Sequence, residues 1–114
     1  MITQEILEKL LLSGALKEKE SVHNLKGGKG KITIYKDAIN INATESGYIL
    51  LEPGSNIGFH YHYKNSEIYR CMFGAFESNG SVYSAGQTSC CSLHEGHDCK
   101  NIADNITIIR YFKK

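Results

Sequence analysis

The chain has 114 residues, with 13 Lys+Arg against 12 Asp+Glu, one Pro, four Cys and no Trp. That length supports one domain around one core. The near-neutral charge excludes nucleic acid as the main partner, because phosphate recognition needs a basic face. A hydrophobic content of 41%, with seven Tyr and four Phe, belongs to a globular protein and excludes a disordered chain. No apolar run approaches the roughly 20 residues that cross a bilayer, so no membrane partner is expected. The first residues, Met1 to Leu10, carry acids where an export signal would be basic. The expectation is therefore a cytoplasmic protein with reduced thiols at Cys71, Cys90, Cys91 and Cys99. These four form no C-x-x-C pair, which argues against a zinc ribbon or a thioredoxin-type motif.

In chain order, residues 2–12 predict an amphipathic helix. Ile2, Ile6, Leu7, Leu10 and Leu11 recur at helical spacing, with Glu5, Glu8 and Lys9 on the opposite face. Thr3 is the candidate N-cap and Ser13-Gly14 the stop. A helix this short is marginal alone, so its apolar stripe must dock, as a cover on the core or at a dimer contact. Lys17 to Ser21 reads as a polar connector. The segment Asn24 to Lys31 is rich in Gly and Lys but lacks the spacing of a phosphate loop and opens onto a strand, so it reads as a basic turn.

From Lys31 onward, short runs rich in β-branched and aromatic residues alternate with Gly, Asn and Ser. They are Lys31–Tyr35, Ala38–Asn42, Tyr48–Leu51, Ile57–Tyr63 and Glu67–Phe73, followed by Ala75–Glu77, Val82–Ser84, Gln87–Leu93, Asp98–Ala103 and Ile106–Phe112. This spacing predicts an all-β sandwich or barrel, with Ser78-Asn79-Gly80-Ser81 as a hairpin turn. The expected division is a helix and connector over 1–22 and a β-barrel domain over 23–114.

The stretch from Pro53 to Gly74 carries the chemistry. His60 and His62 stand two apart on an expected strand, so both imidazoles leave one face, with Cα atoms roughly 6.5 Å apart. Glu67 opens the next strand, after a turn at Lys64-Asn65-Ser66, and an antiparallel return brings its carboxylate beside the two His. Two His and one carboxylate form a facial ligand set for a divalent first-row metal. The same alternation puts Tyr69, Cys71 and Phe73 on the face of Glu67, and turns Tyr61, Tyr63 and Arg70 outward.

The pattern Gly54-x5-His60-x-His62-x4-Glu67-x6-Gly74 resembles the first cupin motif at every defined position. Gly86-x5-Ser92-x-His94-x2-His97-x3-Asn101 is similar to the second, with Ser92 and His94 where Pro and Gly are usual. The resemblance covers residues 48–112. It implies an all-β, single-domain cupin of the RmlC-like type, a double-stranded β-helix or jelly-roll barrel with a short N-terminal helix added. It also implies a metal held in the barrel mouth by His60, His62, Glu67 and His97. The ion would be a single divalent Fe, Mn, Zn, Ni or Co.

Three His and one Glu leave about two positions open on an octahedral ion, as a site for substrate needs. The resulting expectation is a small metal-dependent enzyme acting on an oxygen-rich small molecule, with isomerase-, lyase- or dioxygenase-type chemistry. Tyr69 and His94 are then the candidate proton-moving groups. The alternative is a non-catalytic cupin module that binds or senses a small molecule. Cupin relatives commonly pair, so a homodimer is expected.

Overall fold

The computed structural model describes residues 3–39 and 44–114. The expected helix forms over Gln4–Ser13 (α1). The Thr3 side chain accepts from the Ile6 amide, and Gly14 closes the C-terminus in the left-handed conformation (φ 82°). That backbone state lets the Gly14 and Ala15 amides reach back to the Leu11 and Leu10 carbonyls. Ile2, the first member of the proposed stripe, lies outside the described residues.

Ten strands follow. They are β1 (Leu16–His23), β2 (Lys31–Asp37), β3 (Glu45–Leu51), β4 (Asn56–Tyr61) and β5 (Glu67–Phe73), then β6 (Ala75–Ser78), β7 (Ser81–Ser84), β8 (Thr88–Cys91), β9 (Gly96–Asn101) and β10 (Thr107–Lys113). They pair antiparallel in a six-stranded sheet of order β1-β2-β3-β10-β5-β8 and a four-stranded sheet of order β4-β9-β6-β7. The architecture is the jelly roll that the sequence predicts. β6 and β7 turn through Asn79 (φ 50°) and Gly80 (φ 81°), the paired positive φ values of a type I′ hairpin.

Two differences from the sequence reading stand out. The stretch 17–21, read as a connector, lies within β1 and pairs with β2. Its charged residues hide the strand from any alternation test, because an edge strand exposes both faces, and charges there deter further strand pairing. The run 38–42 is not a strand over Ala38 and Ile39, and Asn40 to Asn42 lie outside the described residues.

Period-two burial then builds two apolar layers. Ile32, Ile34, Ile49, Leu51, Tyr69, Cys71, Ile109 and Tyr111 point inward and meet Ile57, Phe76 and Cys99 from the smaller sheet. The outer face of the larger sheet carries Leu50 and Ile108, over which α1 lays Leu7, with Leu10 and Leu11 at the margin. The stripe is thus spent on covering the sheet. Phe73 departs from the expected parity. The β5–β10 ladder shifts register between Ile108 and Ile109, and Phe73 joins the outer layer beside Met72 instead of following Cys71 inward. All four cysteines are free thiols, three of them buried and Cys90 exposed. Among the described residues, no helix is long and apolar enough to cross a membrane.

Candidate metal centre

β4 and β9 build one wall of the site. In their ladder Ile57 pairs with Cys99 and His60 with His97, so β4 spends one residue more than β9 over the same span. Without that bulge, Ile57 and His60, three apart, would face opposite sides of the sheet; with it, both point inward. His62 follows just past the end of β4 on the same side. Glu67 begins β5 on the opposing sheet, buried at 3% exposure. The structure therefore brings His60, His62, Glu67 and His97 together, with one donor atom from each lying within 4.8 Å of the others.

These four fit a divalent cation on three counts. The His62 and His97 Nε2 atoms lie 2.8 Å apart, close to the roughly 3 Å between two nitrogens that each bind one ion at about 2.1 Å and at right angles. Glu67 Oε1 stands 3.3 Å from His62 Nε2 and 3.4 Å from His97 Nε2, yet it is a buried oxygen with no aligned hydrogen bond. A buried, unsatisfied carboxylate oxygen is costly, and an ion supplies what it lacks. Finally, the Gly58 carbonyl lies 2.7 Å from His60 Nδ1. An Nδ1–H donated there leaves Nε2 bearing the lone pair a metal needs.

Electrostatics agree with that role. Burial, reinforced by the charge of His97, pushes the His60 imidazole below its ordinary value, against the opposing pull of the Gly58 carbonyl. Burial likewise lowers His62, although Glu67 pulls the other way. Burial alone would raise Glu67. Polar contacts with His97 and Tyr69, with the charges of His62 and Lys113, outweigh it and hold the carboxyl below the usual range. Neutral imidazoles around an ionised carboxylate are the protonation state that metal binding requires.

The cluster borders a cavity of about 230 Å³, whose lining includes His60, His62, Glu67 and Tyr69. Tyr69 is buried, with its ring 5.2 Å from that of His97. Burial above all, then the charge of Glu67, raises its phenol well above the ordinary value, so the hydroxyl keeps its proton. His94 is not brought to the cavity. It is exposed, its ring 5.9 Å from Tyr63. Its φ of 68° is left-handed, the conformation that accounts for Gly being usual at this position of the motif. Its amide donates to the His62 carbonyl at 2.7 Å. The loop before His97 is thereby tied to the strand end that carries His62.

Several lining residues escaped the sequence reading. Lys19, Glu45, Tyr111 and Lys113 also border the cavity. Lys19 bonds both oxygens of Glu45 at 3.1 and 2.8 Å, and the Tyr111 hydroxyl donates to Glu45 at 2.7 Å. No motif marks this network. It exists because β1, β3 and β10 converge, and β1 reads as a connector in the sequence. Asn101, the last residue of the second motif, serves the frame. Its amide nitrogen donates to the carbonyls of Leu51, Glu52 and Asn105, and its oxygen accepts from Ala103 and Thr107.

Comparison with known proteins agrees with this architecture. No protein-family model matches the chain. An oxalate-binding protein of Thermotoga maritima is 31% identical over 90 residues, covering 72% of this chain and 74% of that protein. The crystal structure of a predicted oxalate decarboxylase from Thermotoga maritima superposes with a TM-score of 0.74 at 24% identity, covering 86% of this chain and 91% of that one. The CENP-C cupin domain of Drosophila melanogaster superposes with a TM-score of 0.64 at 14% identity, over 87% of this chain and 70% of that one. A jelly roll with a His/Glu cluster in its mouth defines a class of small metal-site barrels. The chain belongs to the cupin superfamily.

Proposed function

We propose that this protein is a metal-binding cupin that takes up a small, oxygen-rich carboxylic acid by chelation at the His60, His62, Glu67 and His97 centre. The observation that carries this reading is the buried, unsatisfied Oε1 of Glu67, placed among three imidazoles at the edge of a cavity. Four protein donors leave about two positions on an octahedral ion, enough for the two oxygens of an acid that chelates. The relative named as an oxalate-binding protein supports an acid of this kind.

A divalent ion bound there would supply Lewis acidity toward the acid's oxygens. The chain's own groups do the rest. His60 is oriented by the Gly58 carbonyl, Glu67 would lend one negative charge to a bound ion, and Ile34, Ile49 and Ile57 give the cavity apolar walls. Tyr69 stays protonated and offers a hydrogen bond, not a base. Glu45 is held as a carboxylate by Lys19 and Tyr111, although burial resists its charge. This favours binding as the primary role over the enzymatic role expected from sequence. The enzymatic reading rests on Tyr69 alone, as a proton donor to a bound acid; His94 lies outside that geometry. We also propose the expected homodimer, for which light scattering is the check.

The test is elemental analysis of untagged protein purified without chelator, followed by calorimetric titration with oxalate. About one equivalent of a divalent metal, and oxalate binding that disappears on treatment with chelator, is the expected result. Protein that holds no metal after reconstitution with Mn²⁺, Fe²⁺ or Zn²⁺ would overturn the reading.

A further inference from the structure

The cavity extends beyond the four donors, and three lysines line it: Lys19, Lys26 and Lys113. Two of them are already answered. Lys19 is paired with Glu45 at 2.8 Å, and Lys113 lies between Glu45 at 3.9 Å and Glu67 at 4.0 Å. No ion pair closes on Lys26 among the described residues, and the exposed Glu20, which shares the lining, does not reach it.

The backbone that presents Lys26 is held with little freedom. Lys26 sits at φ 56°, ψ 35°, a left-handed state that is strained for a residue with a Cβ. Asn24 closes the base of the turn, its amide donating to the Gly30 carbonyl at 3.0 Å and its side-chain oxygen accepting from the Gly30 amide at 3.1 Å. Lys29 and Asn56 exchange amide-to-carbonyl bonds at 3.1 and 2.8 Å. The turn then lies backbone-to-backbone on β4. A Cβ on Gly58 would stand 2.0 Å from the Lys26 carbonyl oxygen, and one on Gly28 would stand 2.0 Å from that of Asn56. The backbone at Lys26 is thus fixed against the strand that carries His60, and from it the exposed lysine borders the cavity.

We propose that Lys26 recognises a second anionic group on the ligand, so that the preferred acid is a 2-oxo or 2-hydroxy dicarboxylic acid. Its chelating end lies at the His60, His62, Glu67 and His97 centre and its far carboxylate at Lys26. The apolar lining from Leu25, Ile34, Ile49 and Ile57 faces the methylene spacer between them. A two-carbon acid such as oxalate fills the metal end and leaves Lys26 unanswered. This inference rests on the chelating role proposed above and adds the length and charge of the ligand.

The experiment titrates zinc-loaded protein, with zinc content verified, against matched pairs of acids. Oxalate and pyruvate occupy the metal end alone. Four- to six-carbon 2-oxo diacids are compared with 2-oxo monoacids of equal length. At least one diacid is expected to bind about tenfold more tightly than its monoacid partner, as one charge-assisted hydrogen bond provides. Lys26→Met should abolish that advantage and leave oxalate and pyruvate unchanged. Lys26→Glu should reverse it, and Lys29→Met, on the same turn but outside the cavity lining, should have no effect. The advantage should shrink with added salt, because the lysine is exposed. If oxalate binds but no diacid exceeds its monoacid partner, or if Lys26→Met weakens every acid alike, the role of Lys26 is overturned while chelation stands. If zinc-loaded protein binds none of the acids, both readings fall.

Discussion

His60 faces His97 across the β4–β9 ladder because β4 carries one extra residue between Ile57 and His60. The bulge turns a run that would alternate inward and outward into one that delivers both the core residue Ile57 and the donor His60 to the interior. The His97 partner is fixed by register and the His62 partner by the following inward position, so three nitrogens converge from two adjacent strands. Replacing His60 by Ala should lower metal affinity by about two orders of magnitude or more, since even the loss of a group that only orients a ligand costs 10- to 100-fold. The Ile57 side chain and the ladder remain, so circular dichroism should be unchanged. A His60→Ala/His62→Ala variant that still binds one full equivalent of zinc by calorimetry would place the metal elsewhere.

The protonation states set a direction for pH. His60 and His62 are held below their ordinary value near 6.5, chiefly by burial. Between the folded and unfolded values the unfolded chain binds more protons, so stability rises with pH and is lost as pH falls below about 6.5. Glu67 is also held below its ordinary value. Its contribution is present above about pH 4.5 and is lost as the folded carboxyl protonates. Both effects run the same way. The urea midpoint of metal-free protein should therefore fall between pH 7.5 and pH 5.5, and metal should steepen the fall because its ligands must be deprotonated. The double histidine variant should lose most of this slope; a wild-type midpoint that is flat across the interval would contradict the assignment.

Glu67→Gln separates the metal's contribution from that of the fold. Gln keeps the shape but removes the charge that the ion requires and that His62, His97 and Lys113 face. At zinc about 100-fold above its dissociation constant, wild-type protein should gain roughly 2.7 kcal/mol. For a domain of this size that is a melting-temperature rise of about 10 °C. The Gln variant should show little of it, and should melt slightly below metal-free wild type because the fold favours the ionised carboxyl. An equal zinc-induced rise in both proteins, measured by scanning calorimetry, would remove Glu67 from the ligand set.

The centre was legible because its residues lie in two short windows whose spacing survives any loop length elsewhere. The strands that carry them are marked by ordinary alternation and turn signals, as at Asn79-Gly80. What was not legible depends on contacts distant in sequence. β1 reads as a charged linker because nothing local distinguishes an edge strand such as Leu16–His23 from a connector. With β1 unrecognised, Lys19 could not be placed against Glu45, 26 residues away. Phe73 reads as inward from alternation alone, because the extra residue that β5 carries between Cys71 and Phe73 shows only in its pairing with β10. Lys26 reads as part of a basic turn, but its place on the cavity that His60 also lines depends on that turn docking against Gly58, a contact between two glycine-bearing backbones that carries no hydrophobic signal.

His94 is the point where the chain departs from the usual motif and where the structure explains the cost. A Cβ-bearing residue at φ 68° pays an energy that glycine would not. The ring, exposed against Tyr63, recovers little of it, and what holds the position is the backbone amide bond to the His62 carbonyl, which any residue can make. His94→Gly should therefore stabilise the protein by up to about 1 kcal/mol, less the entropy that glycine adds to the unfolded chain. That corresponds to a rise of about 4 °C in melting temperature. Metal affinity and acid binding should stay within twofold of wild type, because the ring borders neither the four donors nor the cavity. Loss of acid binding in His94→Gly, with zinc affinity and stability retained, would instead give this side chain a place at the site that its geometry does not provide.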